Sequence, residues 1–100
     1  MSKTLGSRQE QIILFLDSQI YKRSTREEIR EYFKKLENIP DSKIGKVDNC
    51  IDRLLNRGTI IHPKIRDLTR DELFLIHPSQ RPKLLELNYT DEVRNFLKNK

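Results

Sequence analysis

Asp41-Ser42-Lys43-Ile44-Gly45-Lys46-Val47-Asp48-Asn49-Cys50-Ile51-Asp52-Arg53-Leu54-Leu55-Asn56-Arg57-Gly58-Thr59-Ile60-Ile61 is the stretch on which the fold turns. Wound as a helix at about 100° per residue, it places Ile44, Val47, Ile51, Leu54 and Leu55 on one face. The opposite face carries Ser42, Gly45, Lys46, Asn49, Arg53 and Asn56. That face holds donors and two positive charges but no carboxylate, although Asp48 and Asp52 lie elsewhere on the same helix. A solvated face usually mixes both signs, whereas a face that lies against phosphates and base edges must exclude acids. Gly58 is placed to stop the helix, and the β-branched Thr59-Ile60-Ile61 to open a strand.

The elements before this stretch are punctuated clearly. Ser7 is positioned to cap a first helix running to about Ser18, with Ile12, Ile13, Phe15 and Leu16 on its buried side. Gln19 to Arg23 reads as a short extended segment with Ile20 pointing inward. Thr25-Arg26-Glu27-Glu28 is a capping box. The helix it opens repeats Ile29, Tyr32, Phe33 and Leu36 at i, i+3, i+4 and i+7. Asn38 and Pro40 end it, and Asp41 or Ser42 is expected to cap the third helix, over 42–56. Two helices of this length joined by a short turn have the spacing of a helix-turn-helix.

After Gly58 the pattern changes. Thr59 to Ile65 and Leu73 to Ile76 read as two strands forming a β-hairpin, each ending its apolar part in His-Pro. Pro63 inside the first run points to an edge or a bulge. Leu84, Leu85 and Leu87 suit a further extended segment over the core. Thr90 is placed to cap a last helix with an apolar stripe of Val93, Phe96 and Leu97. Asp91 and Glu92 at its start, and Lys98 and Lys100 at its end, suit the helix dipole.

Composition bounds the possibilities. One hundred residues allow one small domain with a single core. A net charge of +5 and a pI near 9.5 favour a polyanionic partner. Cys50 is the only cysteine, which excludes an internal disulfide and a Cys-based zinc site. His62 and His77 have no ligand cluster around them, and Cys50 reads as a small core residue. No apolar run approaches the length of a membrane span, so a soluble cytoplasmic protein is expected. There is no GxSxG elbow, no Gly-rich phosphate loop and no Ser, His and acid grouping, so neither an enzyme nor a cofactor or small-molecule site is expected. Phe15, Tyr32 and Phe33 fall at core spacing, while Tyr21 and Tyr89 fit no such pattern.

Over roughly Ser7 to Pro78 the chain resembles the winged helix-turn-helix superfamily. The resemblance rests on element order and on the step Cys50-Ile51-Asp52-Arg53-Leu54-Leu55-Asn56-Arg57-Gly58-Thr59-Ile60-Ile61. This step is similar to that of small archaeal and viral regulators. The His62-Pro63 that follows is similar to the carboxy-terminal winged helices of archaeal replicative helicases. Residues 62 to 77 depart from the pattern in having no Gly for a tight wing turn.

The resemblance implies an α+β fold: a three-helix core, a β-hairpin wing and an additional C-terminal helix. It divides the chain into a flexible tail over 1–6, a winged-helix domain over 7–89 and the last helix over 90–100. The function implied is duplex-DNA binding by a homodimer, with the third helix in the major groove and the wing along the backbone. Carried over by position, Lys43, Lys46, Asn49 and Arg53 face the groove, with Asn49 suited to adenine. Ser42 at the helix start is placed for a phosphate. Lys64, Arg66 and Arg70 are the wing cations, and Arg23 and Arg26 flank the backbone. A small transcriptional regulator is the leading expectation. A replication or plasmid-maintenance factor with less base specificity, or a protein-binding adaptor, is the alternative. An adaptor would need an exposed apolar patch, for which Leu68 and the last helix are the candidates.

Overall fold

A computed structural model describes residues 5–99, so most of the expected 1–6 tail, and Lys100, lie outside the described residues. The fold is α+β, with five α-helices and a three-stranded antiparallel sheet among those residues. Helices α1 (Ser7–Ser18), α2 (Arg26–Glu37) and α3 (Gly45–Arg57) pack together, with β1 (Arg23–Ser24) between the first two. Strand β2 (Ile60–Ile61) follows α3 directly, and β3 (Leu85–Leu87) returns between β1 and β2. Helix α4 (Arg70–Leu75) interrupts the long connection from β2 to β3, and α5 (Asp91–Lys98) ends the fold.

The core is what the periodicity of the three helices dictates. Ile12, Ile13 and Leu16 meet Ile29 and Phe33 and the Val47, Ile51 and Leu54 stripe, all fully buried. Ile60, Leu85, Leu87 and Val93 close it from the sheet and α5. Phe96 and Leu97 pack against this core, so the stripe of the last helix is spent on its own domain. Cys50 is half-buried against the same core. Leu36 is an exception on α2, half-exposed at the end of its helix.

Helix ends follow local chemistry. The Thr25 hydroxyl accepts from the Glu28 N–H at 3.1 Å, and Glu28 accepts from the Thr25 N–H at 3.0 Å. Gly58 takes the left-handed conformation at φ 78°, and the Gly58 and Thr59 N–H groups close on Leu55 and Leu54. The Asn88 amide then donates to the Gly58 carbonyl at 2.8 Å, locking the exit from α3 to the end of β3. Thr90 caps α5. Two expected caps are not made. Gly6, not Ser7, precedes α1. Asp41–Lys43 form a 3₁₀ turn, so α3 starts at Gly45 with no side-chain cap from Asp41 or Ser42. Lys34 holds Asp41 at 2.8 Å instead.

The region after Ile61 corrects the expected β-hairpin wing. Strand pairing stops at Ile61, Pro63 is buried, and Ile65–Asp67 form a 3₁₀ turn. Leu73 to Ile76 is not a strand, because Thr69-Arg70-Asp71-Glu72 is a second capping box that opens α4. Thr69 accepts from the Glu72 N–H at 3.2 Å, and Glu72 accepts from the Thr69 N–H at 2.9 Å. The partner of β2 is β3, with Ile60 opposite Leu87 and Ile61 opposite Glu86. On its other edge β3 pairs Leu85 with Ser24 and Glu86 with Arg23.

Ile20 does not point inward. It is 87% exposed on the turn before β1, and buried Ser24 takes the inward place. Lys22 makes this turn in the left-handed region at φ 57°. The two tyrosines outside core spacing both bond acids across the fold. Tyr21 donates to Asp71 at 3.3 Å and Tyr89 to Asp17 at 2.7 Å. Burial first, then the hydrogen bond to Asp17, pushes the Tyr89 pKa up to about 12.

Candidate nucleic-acid interface

The amphipathic pattern that buries Val47, Ile51 and Leu54 turns Gly45, Lys46, Asn49, Arg53 and Asn56 into solvent along α3. Ser42 and Lys43 are exposed in the 3₁₀ turn just before it. Four of the expected residues, Lys43, Lys46, Asn49 and Arg53, are therefore carried on one exposed segment.

The acids of α3 are handled by α2. Arg30 grips Asp48 through two parallel bonds, Nε to Oδ1 and Nη2 to Oδ2, each 3.0 Å. Arg26 reaches Asp48 Oδ1 at 3.4 Å and Asp52 Oδ1 at 3.0 Å. Partial burial of Asp48 works against its carboxylate. The hydrogen bond and charge of Arg30, followed by those of Arg26, outweigh this and hold its pKa below the ordinary value. Both carboxylates on α3 are thus paired from the side, Asp48 half-buried and Asp52 still 58% exposed. Arg26 is committed to this stitching and not to a flanking backbone contact.

None of the ion pairs among the described residues involves Lys43, Lys46 or Arg53. The same holds for Lys64, Arg66 and Arg70, all exposed. Lys64 and Arg66 sit where the chain leaves β2. Arg70 is carried away from that hairpin position onto the first turn of α4, next to Asp71 and Glu72. The hairpin that was to align these three cations is not formed.

Arg23 has a different task from the one expected. It is 14% exposed and binds Glu72 and Glu86, both at 2.6 Å, and its third contact is the Asp67 carbonyl at 3.3 Å. It clasps α4 to the β1–β3 edge and is unavailable to a ligand.

Lys83 escaped the sequence reading, and His62 enters it only as a candidate metal ligand and as part of a His-Pro step. With Arg26, Arg30 and Gln80 they border a polar recess between α2 and the connection. His62 donates Nδ1–H to the Leu84 carbonyl at 2.9 Å, which turns Nε2 away from that bond. No local signal places either residue in this recess, because it is assembled from three separate segments. His77 instead bonds its neighbour Ser79, and among the described residues no group of three His, Cys, Asp or Glu is arranged to hold a metal. No described helix is long and apolar enough to cross a membrane.

No family model matches the chain, and no curated protein or solved structure matches it either. What the site does is argued from its own chemistry.

Proposed function

We propose that this chain binds duplex DNA through the exposed face of α3, as a helix-turn-helix protein whose wing is replaced by a helical connection. The observation that carries the reading is the separation of charge on α3. Its acids are occupied by Arg26 and Arg30, while Lys43, Lys46 and Arg53 have no counter-ion among the described residues. A cation held without an acidic partner is free to displace counter-ions from a phosphate backbone. Asn49 stands between those cations in the sequence and presents a donor and an acceptor, the pair that adenine's major-groove edge requires. Lys64 and Arg66 add backbone contacts beside it. Within this reading the finer role is that of a small transcriptional regulator, because a polar helix face with an amide at its centre suits base readout.

Binding measured by fluorescence anisotropy on random duplex DNA across a salt series tests the proposal. With about five phosphates contacted, log K falls against log salt with a slope near −4 to −5. The double variant Lys46→Gln/Arg53→Gln lowers that slope by about 2. Asn49→Ala costs roughly 1–3 kcal/mol on a selected site and little on random DNA. Absence of binding at low salt overturns the proposal, and equal losses on both DNAs remove base readout from it.

A further inference from the structure

Leu73, Phe74 and Leu75 follow one another at the end of the short helix α4, and Ile76 continues the apolar run as its extended C-cap. At about 100° per residue the three helical side chains point in widely different directions, so one domain cannot bury all of them. Leu73 and Ile76 turn partly inward, whereas Phe74 is left 87% exposed and Leu75 78% exposed. Ile20, 87% exposed on the turn before β1, lies across a groove from Leu75. Ile76 and Leu84 line the same groove, and Tyr21 joins its wall to α4 through Asp71. Nothing in the packing of the domain requires these side chains to stand in water.

We infer that this surface is the seat of a second copy of the chain, joined through a twofold axis. Three properties select that occupant. The first is area. Ile20, Tyr21, Phe74 and Leu75 together expose on the order of 500 Å² of largely apolar surface, near the upper limit for a monomer's patch. A standard interface buries about 800 Å² per partner, so a patch of this size supplies more than half of one.

The second is charge. The rim carries Arg70, without a counter-ion among the described residues, beside Asp71 and Glu28. A patch that meets its own image needs both signs, since a rim of one sign repels its copy. The third is shape. Phe74 is exposed on α4 immediately before Leu75, which lines the groove, so a twofold axis here carries each ring toward the other copy. The last helix cannot serve instead, because Val93 is buried and Phe96 and Leu97 pack on the core. This inference does not rest on the DNA reading.

Sedimentation at micromolar concentrations, with the full chain and without DNA, decides it. The wild type is expected near twice the 12.0 kDa chain mass. Phe74→Asp and Ile20→Asp, on separate segments, each weaken self-association by about 30-fold or more, as hot-spot truncations do. Both keep the wild-type circular dichroism, because neither side chain is buried within the chain. A wild type near 12.0 kDa throughout overturns the inference and leaves the groove to a different partner. A dimer that survives both substitutions overturns it as well, by moving the interface elsewhere.

Discussion

Two sets of cations share the surface of this domain and are held in opposite ways. Arg23, Arg26 and Arg30 are fixed by acids drawn from other elements, Glu72 and Glu86 for the first and Asp48 and Asp52 for the other two. Lys43, Lys46 and Arg53 are exposed, and no acid among the described residues pairs with them. The difference teaches that formal charge does not locate a polyanion surface. What locates it is charge that the fold leaves uncompensated. By that criterion Arg23 is scaffold, though it carries the same formal charge as Arg53.

The largest expected effect comes from the paired set. Glu72 is 5% exposed and, among the described residues, its carboxylate is bonded by Arg23 and the Thr69 N–H. Arg23→Gln strands that carboxylate, and breaking a buried pair from one side costs about 3–5 kcal/mol. For a domain of this size the melting point falls by roughly 15 °C. The same variant leaves the salt slope of DNA binding unchanged. Arg23→Met with Glu72→Met recovers much of the stability, because no buried charge is left alone. Denaturant titration checks this, and a loss under about 1 kcal/mol would mean that Arg23 is not the clasp.

A smaller effect follows from Asp48, where the two sets meet. Its folded pKa lies below the ordinary carboxylate value, so its contribution is present above the unfolded pKa and is lost as pH falls through the folded one. The wild type therefore loses stability below about pH 4, and Asp48→Asn removes that part of the acid dependence. At neutral pH the variant costs about 1–2 kcal/mol through the lost charge-assisted bonds. It also frees Arg30 from Asp48, leaving it the exposed Glu27 of its own helix at 3.0 Å, and removes part of the pairing of Arg26. Random-duplex affinity accordingly rises while stability falls. A fall in both would show that these arginines matter to DNA only by shaping α3.

The same division explains which parts of the molecule were legible. The face of α3 is a local property, set by the period of Val47, Ile51 and Leu54, and so are the Thr25 box and the Gly58 stop. Occupation of Asp48 by Arg30 is a tertiary fact, 18 residues apart in sequence, and no local pattern announces it. The β3 segment was visible as extended, but its central place depends on Glu86 meeting Arg23, 63 residues away. The misread connection is instructive, because a signal was present. Thr69-Arg70-Asp71-Glu72 repeats the form of Thr25-Arg26-Glu27-Glu28, yet Leu73 to Ile76 has no period to separate helix from strand. In such a run the cap is the stronger evidence. Ile20 failed for a simpler reason: an apolar residue in a turn has no periodicity to place it.

The smallest expected effect probes the unpaired face at its one position without a side chain. Gly45 opens α3, and a Cβ built there meets nothing within 4 Å. Its φ is not in the left-handed region, unlike that of Gly58 at +78°, so alanine fits the backbone without strain. Gly45→Ala therefore stabilises the free protein by about 0.5 kcal/mol, chiefly by restricting the unfolded chain. On DNA the sign reverses. A methyl on the face that carries Lys46 and Asn49 holds the helix back from the groove, and affinity falls by about threefold, under 1 kcal/mol. Chemical denaturation and anisotropy on the same preparation separate the two signs. Higher stability with unchanged affinity would mean that the start of α3 lies clear of the duplex, and that its cations act at a distance rather than in contact.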